Sequence, residues 1–82
     1  MINVLFFASI RETLGVERTE VTCDDACSVA DVVLLLRQRG DVWDEVLNNA
    51  DLLCSVNQEL VSLDTKLSEG DELGLFPPVT GG

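Results

Sequence analysis

The sequence predicts one α+β domain in which a mixed β-sheet curls around a single main helix. Three observations carry this. The 82 residues are 46% hydrophobic, enough for one core in a chain too short for two domains. One segment, "SVADVVLLLRQRG", has a clean helical stripe, whereas much of the chain on either side of it reads as short strands. A single helix stripe covers only one face of a sheet, so helix and strands must form two layers. A domain this small buries little more than ~60% of the surface its unfolded chain exposes, which leaves a thin stability margin.

"INVLFF" opens the chain as a strand of β-branched and aromatic residues. Alternation puts Ile2, Val4 and Phe6 on one face and Asn3, Leu5 and Phe7 on the other. Asn3 makes the second face polar at its start, and Leu5 and Phe7 make it apolar towards its end. "ASIRETLG" is a turn-rich connection with room for one helical turn, stopped by Gly15. "RTEVTC" alternates as a half-exposed strand, antiparallel to the first. In the main helix Ser28 caps the N-terminus with Asp31 as its capping-box partner. Val29, Val32, Val33 and Leu36 recur at i, i+3, i+4 and i+7, one stripe for the core. Arg37 and Arg39 suit the negative helix end, and Gly40 offers a left-handed stop. The run "VVLLL" is more apolar than one stripe requires, which leaves a surplus for a thicker core or a further contact.

"DVWDEVLNN" reads as a short second helix, with Asp41 as its cap and Trp43 and Leu47 one turn apart. "LLCSV" is a strand, "NQEL" a tight turn carrying Leu60, and "VSL" a short returning strand. "DTKLSEGDE" is an acidic loop that turns at Gly70. In the last strand, "ELGLF", Leu73 and Leu75 face one way and Gly74 and Phe76 the other. This order suits the ubiquitin-like β-grasp, with residues 1–76 as the domain and 77–82 as a flexible tail.

Charge is lopsided, with 15 Asp and Glu against 5 Lys and Arg and a formal net of −10. Nucleic acid and anionic lipid are bound by neutralising phosphates with cations, so neither is an expected partner. Basic protein surfaces are, since opposite charge speeds encounter. No segment approaches the ~20 apolar residues of a membrane span. The opening stretch lacks a basic leader, so the expected address is the cytoplasm. Cys23, Cys27 and Cys54 are an odd count without histidine; they read as structural or incidental thiols, and no metal site is expected. There is no glycine-rich phosphate loop or paired acid–base motif, so unaided catalysis is not expected.

The end of the chain, "FPPVTGG", is its most specific feature. Pro77 and Pro78 cannot donate to a strand ladder, and their fixed φ favours an extended path. Residues 77–82 can reach at most about 20 Å, at ~3.3–3.6 Å each. Gly81 and Gly82 lack side chains, so their backbone can thread a narrow channel. A terminal carboxylate is a poor acyl donor, but joining it to AMP creates a good leaving group that sulfur can displace. A frayed end or a cloning scar would also leave two glycines, but not the stiff Pro-Pro before them.

"MINVLFFASIRETLG", "VNQELV" and "GDELGLFPPVTGG" together make the chain resemble the small subunit of molybdopterin synthase, over nearly its whole length. The resemblance implies a β-grasp whose first and last strands pair in parallel near the sheet centre. It implies that Gly82 is adenylated by an E1-like enzyme, which uses ATP and Mg, and becomes a thiocarboxylate with sulfur from a donor protein. Pro77, Pro78, Val79, Thr80 and Gly81 then enter the large catalytic subunit, where sulfur passes to a pyranopterin precursor. Two small and two large subunits form a heterotetramer, and the small subunit binds no cofactor or metal. Phe7, Leu60 and Phe76 correspond to the hydrophobic patch that meets the large subunit, with Arg11 as the basic residue beside it. Phe7 and Phe76 are also readable as core, and Arg11 as a solvated charge. Asp64, Glu69, Asp71 and Glu72 read as solvated acids or as a face for basic residues of a partner. A sulfur carrier for thiazole synthesis, cysteine synthesis or tRNA thiolation would share the tail chemistry. So would a ubiquitin-like modifier, for which Lys66 is the only lysine on which chains could be built.

Overall fold

The computed structural model describes residues 1–22, 27–49 and 51–78. In chain order the elements are β1 (Ile2–Phe6), α1 (Ala8–Leu14), β2 (Arg18–Val21), α2 (Val29–Arg37), α3 (Asp41–Leu47), β3 (Leu53–Val56), β4 (Glu59–Val61) and β5 (Glu72–Phe76). The five strands form one mixed sheet in the order β2-β1-β5-β3-β4. β1 and β5 pair in parallel at its centre, and every other pair is antiparallel. This is the β-grasp arrangement expected from the element order.

The inner face of the sheet is the core. Ile2, Val4 and Phe6 of β1 and Leu73 and Leu75 of β5 are buried together with Val29, Val32, Val33 and Leu36 of α2. The predicted helix stripe is therefore the stripe that packs. Its start is also as predicted: the Asp31 amide donates to Ser28 Oγ at 3.3 Å, and the Ser28 amide donates to Asp31 Oδ2 at 2.9 Å. Both amides would otherwise be orphans of the first turn. The bond from the Ser28 amide, and after it the Ser28 hydroxyl, hold the Asp31 carboxyl below the usual carboxylate range.

Several local expectations need correction. Residues 8–14 form a helix of 7 residues, more than the single turn predicted. Its N-cap is Phe7, which has no capping side chain, so the usual start signal is missing. Gly15 ends it as expected, with φ 69° and its amide donating to Arg11 O. Gly40 is extended (φ 165°), not left-handed; it serves as N-cap of α3, and Asp41 is the first helical residue instead of the cap. The predicted turn at "NQEL" is confined to Asn57 and Gln58, both at positive φ (51° and 74°). Such a two-residue turn matches the twist of the flanking strands, so Glu59 and Leu60 already belong to β4.

The remaining side of the core is closed by α3. Trp43 meets Phe6 edge-to-face at 5.6 Å. Arg39 lies 5.2 Å over the Trp43 ring and donates to Thr19 Oγ1 and the Glu20 carbonyl. Arg37 pairs with Asp44 at 2.7 Å. The two arginines thus tie α2 to α3 and β2, beyond any interaction with the helix end. The apolar surplus of "VVLLL" is on the surface: Leu34 and Leu35 remain 50% and 46% exposed.

Candidate functional site

Among the described residues no helix lies over the outer face of the sheet, and the character of that face changes along the strands. At one end lie Glu72, Asn3 and Glu20, opposite one another across β5, β1 and β2. One step along each strand pair, Leu60, Ser55, Gly74 and Leu5 stand opposite one another across β4, β3, β5 and β1. One step further, Leu53 of β3 stands opposite Phe76, and the Phe76 ring stacks on that of Phe7. Their centroids are 4.5 Å apart and their planes differ by 4°. Apart from Arg18, which stands opposite Leu5 on the edge strand β2, the face grades from charged to apolar in the direction in which β5 runs to Pro77.

Phe7 is held by three backbone bonds. Its amide donates to Leu75 O at 3.2 Å, and its carbonyl accepts from the amides of Ile10 and Arg11. The chain turns from β1 into α1 here through Ala8, a non-glycine residue at φ 53°, a conformation that costs of order 1 kcal/mol. Arg11 follows one helical turn on, with its side chain exposed. Leu60 projects from the edge strand and is 74% exposed. Phe7, Phe76 and Leu60 therefore share the outer face of the sheet. Leu5, Leu53 and Ser55 join them, and the first two enlarge the apolar surface. Their signal in the sequence was only the period-2 alternation, which needs the strand register to become a surface.

The tail is rooted beside this patch. Pro77 and Pro78 are half-buried and form one wall of a groove of about 590 Å³, together with Ile10 of α1, Val42 and Val46 of α3, and Leu52. Val79, Thr80, Gly81 and Gly82 lie outside the described residues.

Acids of the loop before β5 are engaged locally. Asp71 accepts from the Ser68 amide and from Asn57 Nδ2, and Asn57 Oδ1 accepts from the Glu72 amide. Asp64 accepts from Ser62 Oγ, and Glu69 pairs with the amino group of Met1. These contacts fix the β3–β4 turn and the start of β1 against the loop. Cys54 is a free buried thiol, and burial pushes its pKa up. Cys27 departs from the expected thiol, since its sulfur is disulfide-bonded; Cys23 lies outside the described residues. Among the described residues no group of His, Cys, Asp and Glu could hold a metal ion, and no helix is long and apolar enough to cross a membrane.

Fold and site together define a class, a small ubiquitin-like β-grasp protein with an open apolar sheet face and a proline-led tail rooted at its margin. Residues 4–82 match the ThiS family model, and the chain belongs to that family. It is 48% identical to the molybdopterin synthase sulfur carrier subunit of Escherichia coli K12, covering 100% of both chains. It is 44% identical to the subunit of that name from Haemophilus influenzae, again over 100% of each. In structure it is similar to a chain in the complex of subunits 1 and 2 of molybdopterin-converting factor from Helicobacter pylori 26695. There the TM-score is 0.68 at 28% identity, over 99% of this chain and 97% of that one.

Proposed function

We propose that this chain is the sulfur carrier subunit of a molybdopterin synthase. The observation that carries the reading is its full-length likeness to two curated sulfur carrier subunits, in a chain whose described part roots a Gly-Gly tail beside an open apolar face. In this reading the Gly82 carboxylate attacks the α-phosphate of ATP, forming an acyl-adenylate and releasing pyrophosphate. Hydrosulfide supplied by way of a donor protein then attacks the acyl carbon, AMP leaves with the electron pair of the broken C–O bond, and the tail ends as a thiocarboxylate. The E1-like enzyme supplies ATP and Mg binding, and this chain supplies the acyl group. Pro77, Pro78, Val79, Thr80 and Gly81 next enter the large subunit with Gly82 at their tip, and the sulfur passes to the pyranopterin precursor. Each carrier brings one sulfur, so two deliveries complete a dithiolene, consistent with an assembly of two small and two large subunits. Phe7, Phe76, Leu53 and Leu60 form the docking surface for the large subunit, with Arg11 at its margin. Leu60 is exposed and the other three are half-buried, and a contiguous apolar patch that reaches the surface is the kind of area that marks protein interfaces.

Incubation with an E1-like enzyme, MgATP and a sulfur source, followed by intact mass, tests the reading. One oxygen is expected to be replaced by sulfur in the C-terminal peptide, and a variant lacking Gly82 is expected to stay unmodified. Adding the large subunit and the pterin precursor should then restore the original mass. Modification without that return would assign the carrier to another acceptor. No modification by activating enzymes competent on known carriers would sink the proposal.

A further inference from the structure

Gly74 occupies the middle of β5, the central strand, and its backbone does not adopt the positive φ that calls for glycine. The requirement here is one of space. A Cβ built on Gly74 would lie 2.6 Å from Ser55 Oγ and 3.2 Å from both Phe7 Cε2 and Phe76 Cε1. The first separation is far inside van der Waals contact, and the other two are tight. Ser55 stands directly opposite Gly74 on β3 and is only 7% exposed. Its hydroxyl therefore fills the space that the missing side chain leaves, while the two rings close over the same spot from the other side. Interiors packed at this density transmit the displacement of one group to its neighbours.

We propose that Gly74 and Ser55 are a matched pair of positioning residues. Together they form the floor on which Phe7 and Phe76 stack, and so set the shape of the apolar surface and the placement of the residue that leads into Pro77. Neither residue touches the reacting atoms. The functional consequence rests on the proposed docking of this face to the large subunit; the coupling of the pair to the rings does not.

The test uses the full chain as Gly74→Ala, Ser55→Ala and the double variant, with two readouts. Aromatic NMR shifts of Phe7 and Phe76 report the ring stack, and titration calorimetry reports affinity for the large catalytic subunit. Trp43 emission monitors the fold independently, since Trp43 packs on Phe6 at the opposite face. Gly74→Ala should move the ring shifts and weaken binding by about tenfold or more. Ser55→Ala alone removes part of that floor and should move the ring shifts and weaken binding, by a smaller factor than Gly74→Ala. The double variant removes the closest atom and leaves the two ring contacts at 3.2 Å, so the ring shifts should return part of the way to the parent and binding to within about threefold. If Gly74→Ala fails to fold, the double variant should fold, because the same overlap is relieved. The proposal is overturned if Gly74→Ala leaves rings and affinity unchanged, if the double variant is no better than Gly74→Ala, or if the rings move while binding holds. The docking assumption is tested separately by Leu60→Glu. If that variant binds normally, the docking reading is wrong, and the NMR series still decides whether the pair places the rings.

Discussion

The two faces of the sheet are built from the same strands by the same alternation, yet they have different fates. On the inner face, Ile2, Val4, Phe6, Leu73 and Leu75 are sealed by the α2 stripe and by Trp43. On the outer face, Leu5, Phe7, Leu53 and Phe76 stay half-buried and Leu60 exposed, with no helix or strand above them among the described residues. Apolar area left in water forgoes roughly 25 cal/mol per Å² of burial, so the outer face gives up stability that a small domain can hardly spare. The gradient along that face is instructive. Charged residues occupy the end where β5 begins, and apolar ones the end where the tail leaves. A surface selected only for solubility would show no reason to become apolar beside the tail. The inner face answers the problem of folding, and under the proposed function the outer one answers that of delivering a tail to a second protein.

The comparison predicts separable phenotypes. The largest effect on stability belongs to the inner face. Leu73 is fully buried between Val4 and Val56 on the neighbouring strands, and Leu73→Ala should destabilise the domain by about 2–5 kcal/mol. Thermal unfolding should show a fall in Tm of some 4–8 °C for each kcal/mol. Affinity for the large subunit, measured well below that Tm, should stay near the parent value. A variant that lost binding while its melting curve was unchanged would contradict the division of labour.

The converse holds outside. Leu60→Glu places a charge on a side chain already mostly in water, so stability should move by no more than about 0.5 kcal/mol. Binding to the large subunit should weaken by about tenfold, near 1.4 kcal/mol. Calorimetric titration beside a melting curve would separate the two, and unimpaired binding would remove Leu60 from the docking surface.

Legibility in the sequence follows the same division. The core stripe and cap of α2 could be read directly, because helix periodicity and the Ser28–Asp31 spacing are local signals. The inward and outward sets of β1 and β5 were legible for the same reason. Features that depend on the meeting of distant segments were not. α1 is short, starts without a capping side chain and has no acid in its first turn, so nothing local marked its length. The start of α3 was misplaced because an extended Gly40 and a left-handed one look identical in sequence. Leu60 reads as part of a turn because Gln58 is an unusual residue for positive φ, so nothing local shows that the turn ends before Glu59. The Phe7–Phe76 stack required the parallel pairing of β1 with β5, which only the family resemblance supplied. The Ser55–Gly74 fit requires cross-strand register, and its sole sequence trace was a glycine inside a strand pattern.

The smallest expected effect lies on the inner layer, at the N-terminus of α2. Ser28→Ala removes one acceptor from the capping box and should cost about 1 kcal/mol, with binding intact because the cap is remote from the outer face. The pH dependence of that corner resides in Asp31. Its folded pKa is depressed, chiefly by the bond from the Ser28 amide and then by the Ser28 hydroxyl, with a smaller contribution from Lys66. A depressed carboxyl contributes stability in full above its unfolded pKa and loses it as pH falls through the folded one. The stability gap between the parent and Asp31→Asn should therefore be constant across neutral pH and close in acid, below the ordinary carboxylate range. Urea titrations of both proteins over that range would show it. A gap that persisted unchanged into strong acid would mean that Asp31 acts through the shape of its side chain, with its charge contributing nothing to the cap.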